Sequence, residues 1–151
     1  MTDVKYMETT FDKFTFRVRE DYLYHSEECW IREDDGGPLT VGITDFQQII
    51  GGDVAFIETI ETETAVKQGE QIGILETIKS TLTLIAPISG VIKEVNIRLE
   101  DDPQLINLDP YGDGWIYKIL PSGWTSEQKN LMDARTYFPQ MEEKIRREME
   151  K

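Results

Sequence analysis

The residue in this chain best suited to do chemistry is Lys79, which lies between two runs with the alternation of β-strands. The runs cover residues 71–75 and 81–85 and predict a hairpin with Ile78 and Lys79 near its tip. Two-residue hairpin turns favour Asn-Gly or Asp-Gly, because their dihedral angles require positive φ. This turn instead has a β-branched residue and a lysine, which indicates that something other than folding selected the lysine.

The turn alone leaves two interpretations of Lys79 open. Exposed lysines are commonplace, and most of them need no function. Alternatively, the amine is displayed for covalent modification. A four-carbon stem at a loop tip reaches a modifying enzyme easily, and acylation then removes the charge.

The elements that must position this hairpin are mostly short strands. Strand patterns and turn signals alternate along the chain, with strands predicted at 28–32, 39–43, 54–58, 64–66, 91–97 and 115–119. Val91, Val95 and Ile97 fall on one face of their strand. Residues 11–19 predict a further strand with one apolar face. Short β runs with helices at the ends predict an α+β, mainly β sandwich rather than a βαβ sheet.

A short helix is predicted after the second of these strands. The Thr44 hydroxyl can cap its first turn, while Gln47 reaches back to the Thr44 amide. Gly51 and Gly52 end it.

The remaining helical signals lie in the second half of the chain. Asp102 followed by Pro103 reads as an N-cap and first helical position, which predicts one helical turn to about Asn107. Near the C-terminus, Thr125 or Ser126 is placed to cap another helical segment.

The C-terminal helix beyond Pro139 carries an apolar stripe. Met141, Ile145 and Met149 recur at intervals of four residues, which places them on one helix face. Core packing is the main interpretation of this stripe, and partner binding is the minor one. The surrounding charges mix signs, as on a solvated face.

Composition limits the broad class of the protein. With 151 residues, of which 39% are hydrophobic and 30% charged, the chain suits one compact domain with a modest core. No apolar run is long enough to cross a bilayer, and residues 1–5 do not resemble a signal peptide. We therefore expect a cytoplasmic protein that does not enter membranes.

Cysteine and histidine each occur once. Because Cys29 is the single cysteine, an intramolecular disulfide and a multi-cysteine metal site are both excluded. It is either a packing residue beside Trp30, which is the favoured interpretation, or a reactive thiol. His25 excludes a His-rich metal site, and no nucleophile motif accompanies it, so we interpret it as structural or exposed. No metal site and no catalytic residue are predicted.

The net charge is −13, from 29 acidic and 16 basic residues. Such a surface repels phosphate backbones, so nucleic-acid binding is not expected. It also repels anionic membranes. It suits a carrier that docks on basic patches of several partners, although acidity that only maintains solubility explains it equally well.

A set of motifs in a fixed order resembles the glycine cleavage system H protein family, which carries lipoate on a hairpin lysine. The resemblance spans roughly residues 24–137, and several ungapped motifs in order are more specific than any one of them. The matching stretches are residues 41–46, 52–54, 76–80, 85–92, 99–107 and 109–116.

The resemblance implies a lipoyl- and biotinyl-carrier-like fold, a barrel-sandwich hybrid with short helices and a C-terminal helical segment. It implies covalent lipoate on Lys79, with Glu76, Ile78 and Ser80 as the context that the modifying enzyme recognises. The expected organisation is an N-terminal extension or edge strand at 1–20, a lipoyl-carrier domain at 21–122 and packed C-terminal helices at 123–151.

The resemblance also implies a non-catalytic role in one-carbon metabolism. The carrier would take an aminomethyl group from a pyridoxal-phosphate glycine decarboxylase and present it to an aminomethyltransferase. A dihydrolipoyl dehydrogenase would reoxidise the arm, and a lipoate ligase or lipoyl synthase would install it. A monomer is expected for a protein that visits several enzymes.

Three alternatives remain open at this point. Glu28, where the family usually has histidine, and Cys29, Thr83 and Ile85 depart from the usual family pattern. A lipoate carrier for another complex, such as heterodisulfide-reductase-like sulfur oxidation, is therefore the main alternative. A non-carrier binding module with a vestigial hairpin is the second. A biotinyl carrier is the third, but such carriers usually place methionines beside the lysine, where this chain has Ile78 and Ser80.

Overall fold

The computed structural model describes residues 4–151, and residues 1–3 lie outside it. Its strands are β1 (Tyr6–Phe11), β2 (Phe14–Arg19), β3 (Leu23–His25), β4 (Cys29–Arg32), β5 (Leu39–Ile43), β6 (Val54–Thr59), β7 (Ala65–Val66), β8 (Gln71–Thr77), β9 (Thr81–Ile85), β10 (Gly90–Val95) and β11 (Tyr117–Pro121). Its helices are α1 (Asp45–Gly51), α2 (Arg98–Asp101), α3 (Leu105–Leu108), α4 (Trp124–Glu127) and α5 (Ala134–Met149), with a 3-10 turn at Gln128–Asn130.

Two antiparallel sheets form the body of the protein. The larger has six strands in the order β3-β4-β5-β11-β10-β7, and the smaller has three in the order β6-β8-β9. Apolar side chains from both sheets form one core, and its fully buried members include Ile72, Leu75, Ile88, Ile92 and Ile119. The predicted α+β, mainly β architecture is therefore confirmed.

A second, aromatic core joins the first strands to α1 and α5. Phe16 and Val18 of β2 are fully buried there, together with Trp30 and Tyr137. Tyr24 stacks on Tyr137 with ring centroids 4.5 Å apart. Because these side chains come from distant parts of the sequence, the C-terminal helix is part of the folded body.

The strand predicted at 11–19 is wrong in its extent. The segment is a hairpin in which β1 and β2 pair antiparallel, with Phe11 opposite Phe14. Asp12 lies in the turn with φ 56, a left-handed conformation that Asp tolerates better than most residues. The part of the predicted 1–20 extension at residues 1–3 lies outside the described structure, and the three predicted domain boundaries stay predictions.

The first helix begins as predicted, but only half of the capping box forms. The Gln47 amide donates to Thr44 Oγ1 at 3.2 Å. The Thr44 amide, however, donates to the Glu28 carbonyl at 3.0 Å, so it is not free for the Gln47 side chain. Gly52, with φ 90, follows the last helical residue Gly51 as expected.

Two predictions in the segment after β9 are wrong. β10 ends at Val95 and has an irregularity between Ile92 and Glu94. Ile92, before this irregularity, is fully buried, whereas Ile97 lies beyond the end of the strand, at the start of α2, and is 74% exposed. The single helical turn expected from Asp102 is two short helices, α2 and α3, and Asp102 ends the first of them.

The C-terminal part also differs in detail. The last core strand lies two residues later than predicted, at Tyr117–Pro121. The cap of α4 is Gly123 rather than Thr125 or Ser126, and both of these lie inside the helix.

The long C-terminal helix α5 begins at the cap Asp133, which accepts the Thr136 amide at 2.8 Å, and it runs through Pro139. Met141 and Ile145 are buried, which confirms that the stripe packs into the core. Among residues 4–151, no helix is both long and apolar enough to cross a membrane.

Candidate functional site

Lys79 lies at the tip of the β8–β9 hairpin and is exposed. The two strands pair up to Glu76 opposite Thr81, and the Thr77 amide donates to the Ser80 carbonyl at 2.9 Å. Ile78 and Lys79 are therefore the two residues of the turn, as the sequence predicted.

The turn forms without glycine because the Thr77 hydroxyl takes the place of a backbone acceptor. Thr77 Oγ1 accepts the Ser80 amide at 2.9 Å and the Lys79 amide at 3.3 Å. Within residues 4–151, the non-glycine residues with positive φ are Asp12, Glu28 and Glu63, so neither turn residue adopts that conformation. The sequence interpretation gave Thr77 no role, although threonine is known to bond nearby amides in turns.

The hairpin tip is also held from the side by the loop after α1. The Ile78 amide donates to the Asp53 carbonyl at 3.0 Å. The Asn107 side chain fixes that loop on both sides of Asp53: its Oδ1 accepts the Val54 amide at 2.8 Å, and its Nδ2 donates to the Gly52 carbonyl at 3.1 Å. The tip is thus hydrogen-bonded both within its own turn and to the loop after α1.

The aliphatic stem of Lys79 lies against Gly52. A Cβ atom on Gly52 would be only 3.1 Å from Lys79 Cε and 3.4 Å from Cδ and Cγ. Glycine at this position, which also ends α1, therefore leaves the space that the lysine stem occupies. The sequence pattern explained Gly52 only as a helix stop.

The other predicted site residues surround the lysine without forming a polar cluster with it. Ile78 is 77% exposed. Glu76 is half-buried and lies between Phe56 of β6 and Thr81 of β9 in the sheet register. Ser80 contributes its backbone to the turn, and its hydroxyl lies 3.4 Å from that of Thr77. Their part in recognition stays a prediction.

The surroundings of Cys29 and His25 do not favour a reactive thiol or a metal site. The Cys29 thiol is buried and donates to the Ile85 carbonyl at 3.3 Å, and burial raises its pKa to about 12. The adjoining apolar cavity has a volume of only about 10 Å³. His25 Nδ1 accepts the Glu27 amide at 3.0 Å, and burial lowers the His25 pKa.

Comparison with known proteins identifies the family. The glycine cleavage H-protein family model matches residues 22–144. The chain belongs to the glycine cleavage H-protein family.

Individual relatives agree with this assignment. The glycine cleavage system H proteins of Marinobacter nauticus and Shewanella denitrificans are each 41% identical over 120 residues, which cover 80% of this chain and 92% of each relative.

The crystal structure of a glycine cleavage system H protein from Mycobacterium marinum superposes with a TM-score of 0.73 at 37% identity. The superposed region covers 82% of this chain and 98% of the Mycobacterium marinum chain. This confirms the carrier-like fold that the resemblance implied. All three relatives are named for glycine cleavage, and none of these names supports the sulfur-oxidation alternative.

Proposed function

We propose that this protein is the lipoyl-carrying H protein of a glycine cleavage system and that lipoate is attached through an amide to Lys79. The observation that carries the proposal is the exposed Lys79 amine on a glycine-free turn held by Thr77 and Asn107. A bound lipoyl group supplies a dithiolane that opens to hold a one-carbon unit and closes again by thiol–disulfide exchange.

The residues around Lys79 support this role by positioning the amine and keeping it accessible. Thr77 fixes the two turn amides, Asn107 fixes the loop that supports them, and Gly52 leaves room for the lysine stem. A rigid base with a long flexible arm raises the effective concentration of the arm at a docked active site. The protein itself therefore needs no catalytic acid, base or metal.

The proposed partners are those of the glycine cleavage system: a pyridoxal-phosphate glycine decarboxylase, an aminomethyltransferase, a dihydrolipoyl dehydrogenase and an enzyme that installs lipoate. The net charge of −13 favours partners that present basic surfaces around the arm. We propose that the protein acts as a monomer in the cytoplasm.

Intact-mass spectrometry of protein produced in its native host tests the modification. We expect the added mass of one lipoyl group, retained in Lys67→Arg and absent from Lys79→Arg. Lys67 is the matched control because it is another exposed lysine at a turn, between β7 and β8. Unmodified wild-type protein in cells with an active lipoylation pathway would contradict the proposal.

Loading tests the reaction. The lipoylated protein should gain the mass of an aminomethyl group when it is incubated with glycine and a pyridoxal-phosphate glycine decarboxylase. A lipoylated protein that stays unloaded, while a relative's H protein is loaded by the same enzyme, would assign this chain to a different complex.

The role of Glu76 is tested separately. If its carboxylate contributes to recognition, Glu76→Gln should be lipoylated more slowly by a purified ligase. Glu58→Gln, on the neighbouring strand β6, is the control and should match wild type. Equal rates for all three proteins would remove Glu76 from the site.

A further inference from the structure

The two strands of the β1–β2 hairpin form a two-stranded sheet whose outer edges differ. On the β2 side, the Arg17 amide donates outward to Asp45 Oδ2 at 2.8 Å, and the Arg17 carbonyl accepts the Tyr111 hydroxyl at 2.7 Å. The backbone groups of Arg17 therefore point away from β1. Because antiparallel pairs alternate between hydrogen-bonded and non-hydrogen-bonded ones, Glu8, which lies opposite Arg17, directs its own backbone groups away from β2.

The same alternation applies along the whole of β1. Tyr6 and Thr10 lie two residues before and after Glu8, so their amides and carbonyls also point outward. Among residues 4–151, these outward amides and carbonyls have no hydrogen-bond partner, and the three side chains are exposed. Such a row of free backbone groups is a template for pairing with a further strand.

Other strand edges of the body are closed by neighbouring groups. The Val54 amide at the start of β6 donates to Asn107 Oδ1 at 2.8 Å. In β3, Tyr24 exchanges two backbone hydrogen bonds with Met132, each 2.8 Å long. Proteins commonly protect an edge with a proline or a bulge, but β1 contains no proline and pairs with β2 without a register shift. The open edge of β1 therefore differs from these closed edges.

A groove of about 260 Å³ lies between β1 and α5, and we call it the edge groove. It is lined by Thr9, Phe11, Glu142, Ile145 and Arg146. Thr9 and Phe11 alternate with the exposed residues of β1 and are half-buried on the face that packs on α5. Since side chains alternate along a strand, a strand added to β1 would direct every second side chain towards this groove. Phe11 and Ile145 there suit an apolar side chain.

The edge groove is built mostly from residues outside the family match, which covers residues 22–144. These flanking segments also differ from the body in charge. Residues 4–21 and 134–151 contain nine basic and eight acidic side chains, whereas residues 22–133 contain seven basic and twenty acidic ones. The groove therefore lies in a nearly neutral part of an acidic protein, where a segment with little net charge meets little long-range repulsion.

We propose that the edge groove binds an extended segment of a partner protein, which adds a strand to β1 and places an apolar side chain against Phe11 and Ile145. The segment alternates polar and apolar residues and has little net charge. In such strand addition, backbone hydrogen bonds supply affinity, and the pockets for alternate side chains supply specificity.

The position of the edge groove leaves Lys79 uncovered. The opposite edge of the hairpin, β2, is bonded to Asp45 of α1, and α1 ends at the glycine beside the Lys79 stem. A partner held at β1 therefore lies on the far side of the hairpin from Lys79. It would raise the local concentration of the carrier without occupying the lysine.

Amide hydrogen exchange of the free protein, measured by NMR, tests whether the edge is open. The amides of Tyr6, Glu8 and Thr10 should exchange about tenfold or more faster than those of Met7 and Thr9, which are bonded to β2. Slow exchange at all five amides would show that the edge is already covered, and it would overturn the proposal.

A blocked peptide, Thr-Val-Thr-Leu-Thr-Val-Thr, is the binding probe. We expect saturable NMR shifts at the amides of Tyr6, Glu8 and Thr10, with half-saturation below about 1 mM, and slower exchange of these amides in the complex. The control peptide Thr-Val-Pro-Leu-Pro-Val-Thr keeps the apolar side chains but lacks two of the amides, so it should not bind. An absence of saturable shifts with the first peptide, or equal shifts with both, would overturn the proposal.

Glu8→Pro removes one outward amide without removing a hydrogen bond to β2, because proline is tolerated on the solvent side of an edge strand. It should raise the dissociation constant of the peptide about fivefold. Glu8→Gln is the control, since it loses the same carboxylate but keeps the amide, and it should bind like wild type. Equal dissociation constants in the two variants would contradict strand addition.

A second pair of variants tests the groove itself. Thr9→Trp fills the edge groove and should also weaken peptide binding about fivefold or more. Thr15→Trp places the same ring on the exposed face of the hairpin, away from the groove, and should bind like wild type. Equal binding by these two variants would mean that the groove is not the site.

The proposed strand addition is independent of lipoylation. Unmodified and lipoylated protein should bind the peptide equally, so a chain that is never lipoylated would overturn the proposed function and leave this site standing. Sedimentation of the protein at about 1 mM tests the other occupant of an open edge, a second copy of the chain. A dimer that protects the Tyr6, Glu8 and Thr10 amides would overturn the partner segment.

Discussion

Cys29 illustrates how burial decides the chemistry of a single residue. From the residue type alone, Cys29 could be a reactive thiol. Burial, however, raises the pKa of this thiol to about 12. A thiolate is the reactive form, so at neutral pH almost none is present. The favoured interpretation of Cys29 as a packing residue is confirmed by its 5% exposure.

Alkylation of Cys29 should therefore require unfolding. At pH 8 we expect iodoacetamide to leave the native protein unmodified over hours and to label it fully in denaturant, as read by intact mass. Rapid labelling of the native protein would show that the buried thiol is accessible after all.

His25 should make stability depend on pH. Burial lowers its pKa from the ordinary value of 6.5, so the folded state favours the neutral ring and the unfolded state binds more protons. The contribution of the neutral His25 ring to the free energy of unfolding is complete above pH 6.5 and is lost as pH falls towards the folded-state pKa.

The free energy of unfolding of wild type should consequently decrease between about pH 7 and 5.5, with a slope of at most about 1.4 kcal/mol per pH unit. His25→Asn keeps an acceptor for the Glu27 amide and removes the titration, so the difference between the two proteins should shrink at low pH. Parallel denaturation curves at every pH would exclude a contribution from His25.

At the scale of elements, the β8–β9 turn depends on one hydroxyl group. Thr77 Oγ1 accepts two amides and donates to the Ser80 carbonyl at 3.1 Å. A side-chain acceptor in place of the usual backbone acceptor lets a β-branched residue and a lysine form a tight turn. The same bonds hold the Lys79 backbone in place, and its side chain is exposed.

Thr77→Ala should loosen this turn, and Thr77→Ser should not. We expect the alanine variant to lose about 1 kcal/mol of stability and to exchange the Lys79 and Ser80 amides faster. Amide hydrogen exchange followed by mass spectrometry or NMR is the measurement. Unchanged exchange in the alanine variant would show that the strands alone define the tip.

At the scale of the whole molecule, Glu28 joins the C-terminal helix to the body. Its carboxylate accepts the Thr44 hydroxyl at 2.8 Å and the Lys144 ammonium at 2.6 Å, and it also accepts the Tyr137 hydroxyl. Glu28 is 5% exposed and has φ 65, so the packing around it stabilises an unfavourable backbone conformation.

Lys144→Met should weaken this connection more than an exposed pair would. Removing one partner of a buried ion pair leaves a buried charge uncompensated. Because Lys144 itself is 38% exposed, we expect a loss of about 1 to 2 kcal/mol.

Arg147→Met breaks the exposed pair with Glu143 and should cost about 0.5 kcal/mol or less. Equal losses in the two variants, measured by denaturant unfolding, would mean that the Glu28 network adds no stability.

The sequence predicted the features that depend on local patterns. The alternation on both sides of Lys79 predicted the hairpin and its turn, and the spacing of Met141 and Ile145 predicted a buried helix face. Local pattern failed where a strand ended early, as at β10, which ends at Val95, so that Ile97 lies beyond the strand and is exposed. It also failed at residues 11–19, because a turn of non-glycine residues carries little signal.

Tertiary structure alone decided how the lysine is held and what lies beside it. The Asn107 side chain forms hydrogen bonds with backbone groups more than fifty positions away in the sequence. Such contacts have no fixed spacing in the sequence, because they arise only when distant elements pack together. The sequence by itself determined which amine is displayed, and long-range packing determined the loop that holds its hairpin from the side.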